Sequence, residues 1–283
     1  MSNLNPLVTA SWLNEHLNDN NLVVVDGTFH LPDTGRSAKE EFVQEHIPGA
    51  RFFDLDVISD PENPRPRKVP PQDIFEREIS NLGIDNNTTV VAYDTRGLYS
   101  AARVWWLFRF YGYDNVVILD GGFPAWQAEQ LPVENGVKEH AKAEFKAPGK
   151  RKELLALWPQ VLEASNQHDQ ILDARPTPRW QGKDADRYPG TRQGRIPNSL
   201  NLPWANVLDP ETKKLLPKEE LRQLYLDAGV DFNKPVIASC GSGLTACILA
   251  LGMTLVGHTD WAVYDGSWDE WGRNLDLPVA SDF

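Results

Sequence analysis

Residues 235–246 read PVIASCGSGLTA and place one cysteine, Cys240, in a glycine-rich turn between two apolar segments. The apolar, partly β-branched residues 236–238 are typical of a buried parallel strand, and residues 245–255, apolar on almost every face, predict a helix packed on a sheet. In such a loop the backbone N–H groups, at the positive end of the helix dipole, hold an anion and favour a thiolate. The stretch therefore predicts a nucleophilic Cys240.

An internal repeat sets the domain organisation. Residues 24–26, 90–94 and 119–122 recur as residues 171–173, 236–240 and 264–267, at offsets of 147, 146 and 145 residues. This period is too long for a solenoid and indicates a duplicated domain. In each half, short β-branched runs alternate with helical stretches, which predicts an α/β fold with parallel sheets flanked by helices. We expect domains over residues 1–145 and 153–283, joined by a linker rich in lysine, glutamate, alanine and glycine.

Two other kinds of cysteine loop do not match. A cysteine phosphatase needs an arginine six residues after the cysteine to clamp phosphate, and that position is Ala246. A dithiol oxidoreductase needs a second thiol two residues away, whereas Cys247 lies seven residues on, inside the predicted helix. We therefore expect Cys247 to be a small core residue.

The loop resembles the active-site loop of the 3-mercaptopyruvate sulfurtransferases, members of the tandem rhodanese superfamily. The usual family form has valine or isoleucine where Leu244 stands. Thiosulfate-using relatives are similar elsewhere but carry arginine and lysine at the positions of Gly241 and Ser242, so the loop favours mercaptopyruvate. The similarity extends over nearly the whole chain and includes residues 46–50, 99–106 and 264–268.

The resemblance implies two tandem rhodanese-like domains and a two-step sulfur transfer. The sulfur of 3-mercaptopyruvate passes to a Cys240 persulfide and then to a thiol acceptor, such as thioredoxin or a small thiol, or to cyanide; pyruvate is released without a cofactor or metal. In the first copy Asp94 stands where the second has Cys240. An aspartate cannot accept the sulfur, so domain 1–145 is expected to be catalytically silent and to form one wall of a cleft, with domain 153–283 catalytic.

The resemblance also implies roles within the loop. Gly241, Gly243 and Leu244 would form the substrate-binding loop around Cys240. Ser242 would polarise the substrate carbonyl or the leaving enolate, or would only close the loop through a backbone bond. Thr245 would contact substrate, cap the helix, or do both.

A cation is needed for the substrate carboxylate. Arg179 matches the arginine that the family uses for this, and a planar guanidinium suits the bidentate contact. A second family arginine precedes a Pro-Gly or Asp-Gly pair; here that position is Tyr188, so Arg187, one residue earlier, is our candidate, with a solvated loop arginine as the alternative. Arg175 is expected to pair within the loop layer.

His46 matches a histidine that some family members use in a proton relay at the cleft. The position of its partner acid corresponds to Ser37, which favours a structural role for His46, and the equivalent in the second copy is Arg195. We keep it as a possible cleft residue.

Composition excludes several functions. A net charge of −12 over 283 residues, without a basic cluster, argues against nucleic-acid binding. No secretory signal or long apolar segment is present, which predicts a protein without a membrane partner. The cysteine and histidine spacing predicts no metal site. The two cysteines, one needed as a thiol, point to a reducing compartment, and we expect a cytoplasmic location.

Two alternatives to the mercaptopyruvate reaction stay open. The first is a thiosulfate sulfurtransferase, against which Gly241 and Ser242 argue. The second is a non-enzymatic carrier that relays a Cys240 persulfide between proteins. A redox sensor would need a resolving thiol, and a buried Cys247 argues against it.

Overall fold

The computed structural model describes residues 5–282. The chain forms two compact units, one of residues 1–151 with 210–214, and one of residues 152–209 with 215–283. Among the described residues no helix is both long enough and apolar enough to cross a bilayer.

Among its described residues, the first unit contains five short or medium strands and five α-helices. They are β1 Leu7–Val8, α1 Ala10–His16, β2 Leu22–Asp26, α2 Ala38–Gln44, β3 Arg51–Phe52, α3 Gln72–Asn81, β4 Thr89–Tyr93, α4 Ala101–Phe110, β5 Val116–Leu119 and α5 Gly122–Ala128. All strand pairs are parallel, in the order β1-β5-β4-β2-β3.

The second unit repeats this arrangement. Its elements are β6 Leu155–Ala156, α6 Trp158–Gln167, β7 Gln170–Asp173, α7 Thr177–Gln181, β8 Leu200–Asn201, α8 Lys218–Asp227, β9 Val236–Ser239, α9 Ala246–Leu255, β10 Trp261–Tyr264 and α10 Ser267–Trp271. The parallel order β6-β10-β9-β7-β8 matches the first sheet strand for strand. The expected fold class, two α/β domains with parallel sheets, is confirmed.

Each sheet has a core on the face covered by the helix that follows its last central strand. Trp126 of α5 and Trp271 of α10 are fully buried in equivalent positions, and each indole N–H donates to a proline carbonyl, at 2.8 Å and 2.7 Å. The duplicated bond satisfies a polar group that burial would otherwise leave unpaired. These two tryptophans therefore serve the architecture of each unit.

The strand order places one loop at a switch point. From β7 the chain continues to β8 on one side, whereas β9 and β10 follow on the other side. In parallel sheets, ligands bind beyond the carboxyl ends of the strands where this reversal occurs. β7 and β9 are neighbours in register, Asp173 beside Ser239, so the segments that follow them leave the sheet side by side.

Candidate active site

Cys240 follows β9 directly and is 1% exposed. Its carbonyl accepts from the backbone N–H of Trp268 at 3.0 Å, and the carbonyl of Gly241 accepts from the N–H of Asp269 at 2.8 Å. With these carbonyls bound to the first turn of α10, the N–H groups of the loop can face the sulfur. The N–H of Gly243 lies 3.1 Å from Cys240 Sγ and donates to it. This is the contact that stabilises a thiolate.

Gly243 makes this turn possible. Its φ of +81° is in the left-handed region, and a Cβ there would lie 2.5 Å from the carbonyl oxygen of Asp265. No other residue fits both the conformation and the space. Gly97, its counterpart in the first unit, also has a positive φ, of +104°.

Ser267 contacts Cys240 and was not among the residues predicted from the sequence. Its Oγ accepts from the Cys240 N–H at 3.0 Å, donates to the carbonyl of Tyr264 at 2.7 Å, and lies 3.8 Å from Cys240 Sγ. Ser267 has a φ of +51°, and Gly122 takes its place in the first unit with a φ of +57°. The sequence repeat aligns Ser267 with Gly122, and this difference between the two units could have marked Ser267 as a residue with a special role.

The remaining loop residues are partly or fully buried. Leu244 and Thr245 are buried, and Ser242 is half-buried. Thr245 occupies the N-cap position of α9, but its side chain makes no capping hydrogen bond. Of the two roles considered for Thr245, capping is therefore not realised in this structure. Cys247 is fully buried, as expected for a core residue, and its thiol donates to the carbonyl of Gly243.

The equivalent loop of the first unit holds an anion of its own. The carboxylate of Asp94 is fully buried and accepts from the backbone N–H groups of Arg96 at 2.7 Å, Ser100 at 2.8 Å and Ala101 at 2.8 Å. Burial raises the pKa of Asp94, and these N–H groups oppose that shift. The turn shared by both units is therefore an anion cradle, and in the first unit a side chain already fills it.

Arg179 lies on α7, the short helix that follows β7, and its side chain is half-exposed. In the part of the chain that the structure describes, the guanidinium has no hydrogen-bond or ion-pair partner. The structure therefore places this cation after the strand that neighbours β9, with its donors available to a ligand.

Arg175 has a structural role, as expected. Its buried guanidinium bonds Asp173 at 2.7 Å and Asp186 at 3.0 Å, and lies 4.3 Å from the ring centroid of Trp268. Through Asp186 it holds the loop that carries Arg187, whose side chain is exposed.

Arg192 and Tyr188, which lie near Arg187 in the sequence, make different contacts. The side chain of Arg192 donates to the carbonyls of Trp271, Gly272 and Asn274. These bonds occupy it with the end of α10 and argue against a substrate role. Tyr188 packs on Gly241, where a Cβ would lie 2.7 Å from its Cε2 and 3.0 Å from its hydroxyl.

His46 is buried in the first unit. Its Nδ1 lies 2.7 Å from the carbonyl oxygen of Phe42, and the two rings stack with their centroids 4.1 Å apart. Ser37, at the expected acid position, accepts from the N–H of Glu40 at the start of α2. These contacts describe a packed histidine that follows a capped helix. Within residues 5–282 no group of three potential metal-binding side chains comes together.

Comparison with known protein families identifies both halves. The model of the rhodanese-like domain matches residues 9–129 and 158–274. The chain belongs to the rhodanese family. The resemblance seen in the loop is thus confirmed over two rhodanese domains.

Several characterised rhodanese proteins are similar over most of their length. The 3-mercaptopyruvate sulfurtransferase of Escherichia coli K12 is 35% identical over 273 residues, covering 96% of both chains. The human 3-mercaptopyruvate sulfurtransferase is 39% identical over 275 residues, covering 94% of this chain and 91% of that protein. The thiosulfate sulfurtransferase of Gallus gallus is 38% identical over 272 residues, covering 94% and 92%. Overall identity therefore does not separate the two donor classes.

Two solved structures are similar to this chain over nearly its whole length. The 3-mercaptopyruvate sulfotransferase SseA from Escherichia coli matches with a TM-score of 0.85 and 34% identity, covering 94% of this chain and 99% of that one. Tum1 from Saccharomyces cerevisiae matches with a TM-score of 0.89 and 25% identity, covering 98% of each.

Proposed function

We propose that the chain is a 3-mercaptopyruvate sulfurtransferase in which the second rhodanese domain, residues 153–283, is catalytic. The observation that carries the proposal is the Cys240 loop, with the Gly243 N–H on Sγ and the Ser267 hydroxyl on the Cys240 amide. The first domain, residues 1–145, is silent in this proposal, because Asp94 replaces the thiol and already fills its cradle.

The first step transfers sulfur to the enzyme. The Cys240 thiolate attacks the sulfur of 3-mercaptopyruvate, a new S–S bond forms, and the C–S bond breaks. Its electron pair becomes the enolate of pyruvate, which takes up a proton, and Cys240 is left as a persulfide. N–H groups of the loop stabilise the negative charge as it develops. In this proposal Ser242 hydrogen-bonds the keto oxygen, and Arg179 supplies the cation for the carboxylate.

The second step returns the thiolate. A thiol acceptor, which we propose to be thioredoxin or a small thiol, attacks the outer sulfur and carries it away, and cyanide does the same in an assay. Electrons balance in both steps without a redox cofactor. A second thiol then releases the sulfur as sulfide, with formation of a disulfide.

The donor is proposed from charge. Thiosulfate is a dianion whose oxygens are on the atom bonded to the attacked sulfur, only two bonds away from it, so a site for it needs cations in the loop itself. Residues 241–245 carry no charged side chain. In 3-mercaptopyruvate the carboxylate is several bonds from the sulfur, and a cation outside the loop, such as Arg179, can bind it. A cytoplasmic location fits a protein that depends on a free Cys240 and keeps Cys247 as a thiol.

The test compares two donors and two cysteine variants. We expect the purified protein to release pyruvate and sulfide from 3-mercaptopyruvate with a reducing thiol, and to react weakly with thiosulfate and cyanide. Cys240→Ser should abolish turnover with the fold intact, whereas the control Cys247→Ser, which keeps a donor for the Gly243 carbonyl, should keep it.

Three results would contradict the proposal. Preference for thiosulfate would make the chain a thiosulfate sulfurtransferase. A stable Cys240 persulfide without turnover of either donor would support the carrier alternative. Wild-type pyruvate release by Cys240→Ser would remove the nucleophile from the mechanism.

A further inference from the structure

The contact between Tyr188 and Gly241 explains why residue 241 has no side chain. Gly241 does not have the left-handed φ that Gly243 requires, so its backbone would accept other residues. A Cβ at position 241 would instead lie 2.7 Å, 3.0 Å and 3.2 Å from Cε2, the hydroxyl and Cζ of Tyr188. Contacts this short force a neighbour to move. Tyr188 is thus the residue that a side chain at position 241 would have to displace.

The backbone around Tyr188 is held in place from both sides. The carbonyl of Tyr188 accepts from the N–H of Thr191 at 3.2 Å and from its hydroxyl at 2.7 Å. Pro189 follows Tyr188, and Gly190 has a φ of +83°, which makes residues 188–191 a tight turn of the type that needs glycine at its third position. Before the turn, Asp186 pairs with the buried Arg175 at 3.0 Å.

After the turn, Arg192 extends the restraint. Its backbone N–H and its guanidinium both donate to the carbonyl of Gly272, at 3.0 Å and 3.1 Å. Its carbonyl accepts from the indole N–H of Trp268 at 3.0 Å. Trp268 is the residue whose backbone N–H binds the Cys240 carbonyl. The segment that carries Tyr188 and the loop that carries the nucleophile are therefore fastened to the same helix, α10.

A phenol fixed over the residue that follows the nucleophile can act on the sulfur donor. Its hydroxyl donates one hydrogen bond and carries no charge, so it can bind one oxygen of a keto acid but supplies no cation to balance a dianion. We propose that Tyr188 is a donor-specificity residue: its hydroxyl hydrogen-bonds an oxygen of the α-keto acid donor, and its ring keeps residue 241 a glycine. This inference rests on the proposed mercaptopyruvate reaction.

The hydroxyl is tested with Tyr188→Phe, which keeps the ring. We expect kcat/KM for 3-mercaptopyruvate to fall about 10- to 100-fold, as for loss of a hydrogen bond to a charged or strongly polar group. The residual kcat/KM for thiosulfate should change less than about 3-fold, because the same bond is not made to that donor. The matched control is Tyr225→Phe, which removes a buried hydroxyl that donates to the carbonyl of Leu249 in the same unit. It should leave the ratio of the two donors unchanged.

The ring is tested with Gly241→Ala in two backgrounds. In the wild-type background the added methyl meets Tyr188, and we expect kcat/KM for 3-mercaptopyruvate to fall more than about 10-fold. In the Tyr188→Ala background the same change should lower kcat/KM less than about 3-fold, because the effects of substitutions at residues in contact are not additive. Equal losses in the two backgrounds would overturn the role of the ring.

The two proposals fail separately. Wild-type protein that does not turn over 3-mercaptopyruvate overturns the proposed function. Active wild type together with an unchanged kcat/KM in Tyr188→Phe, or equal losses on both donors, overturns only the specificity role of Tyr188.

Discussion

Ser267 provides a quantitative test of how the fold supports Cys240. Its φ of +51° places a residue with a side chain in a conformation that Gly122 occupies in the first unit. For an L-residue the left-handed region costs roughly 1–2 kcal/mol. In return, its hydroxyl bonds the buried Cys240 N–H at 3.0 Å and the Tyr264 carbonyl at 2.7 Å. Two substitutions remove the hydroxyl: Ser267→Ala keeps the strained backbone conformation, and Ser267→Gly relieves it.

The free energies of unfolding of these two variants should differ by the strain of the left-handed backbone conformation. Ser267→Ala leaves the Cys240 N–H without its acceptor, which costs about 1–3 kcal/mol, and keeps the strained backbone. Ser267→Gly makes the same loss but recovers the roughly 1–2 kcal/mol of left-handed strain. We therefore expect the glycine variant to be more stable than the alanine variant by about 1–2 kcal/mol, although glycine usually destabilises a helix.

Ser165 is the matched control. It is a buried serine of α6 whose hydroxyl donates to the carbonyl of Pro197 at 2.7 Å, in an ordinary helical conformation. There the order should reverse, with alanine more stable than glycine by about 1 kcal/mol. Urea unfolding followed by tryptophan fluorescence measures all four variants.

Both Ser267 variants should also slow the chemistry. Each loses the hydroxyl 3.8 Å from Cys240 Sγ and the bond that fixes the Cys240 amide. We expect single-turnover pyruvate release to fall about 10- to 100-fold in both, with little difference between them, as for loss of a hydrogen bond to a charged group. Equal stabilities of the alanine and glycine variants would refute the strain argument, and wild-type rates in both would refute the positioning role.

Two further predictions concern charge in the two units. Arg179→Gln should raise KM for 3-mercaptopyruvate about 10- to 100-fold, because it removes a charged partner of the substrate carboxylate. The control Arg222→Gln, on the exposed face of α8, should leave KM unchanged. Steady-state kinetics that show equal KM values for the two variants would exclude Arg179 as the carboxylate ligand. Burial raises the pKa of Asp26 from 3.8 to about 6, while bonds from Thr28 oppose the shift. The stability it contributes is therefore fully present below about pH 4 and is lost as the pH rises through 6, a change of about 3 kcal/mol. Asp26→Asn should be more stable than the wild type by up to about that amount at pH 8 and by little at pH 4, and urea unfolding that shows the same difference at both values would contradict this.

The sequence predicted the parts of the site that are local in the chain. The apolar run, Cys240 and the following glycines were enough to place a strand, an anion-binding turn and a helix, because each depends on neighbouring residues only. The repeat extended this to both units. It could not predict that Tyr188 packs on Gly241, or that Arg192 is occupied by three carbonyls, because these contacts depend on how a distant loop folds back. The repeat aligns Ser267 with Gly122, but Ser267 was missed because this alignment alone does not show that both residues have a positive φ.

The two units stabilise the buried carboxylates at the ends of their central strands in different ways. In the first unit Asp26 and Asp94 are both buried carboxylates, and the charge of Asp94 contributes to the raised pKa of Asp26. Position 28 there is a threonine, so the Asp26 carboxylate gains hydrogen bonds but no ion pair. In the second unit Arg175 takes the equivalent position and pairs with Asp173 at 2.7 Å.

This difference changes the charges around Cys240, the proposed nucleophile. Cys240 stands in place of Asp94 at the cradle of the second unit, and the guanidinium of Arg175 is shared between the carboxylates of Asp173 and Asp186. The same guanidinium lies over the ring of Trp268, whose backbone N–H binds the Cys240 carbonyl. Arg175 thereby weakens the repulsion that Asp173 would exert on an anion at Cys240. An anion that the first unit supplies as a fixed side chain can, in the second, be formed and discharged during the reaction.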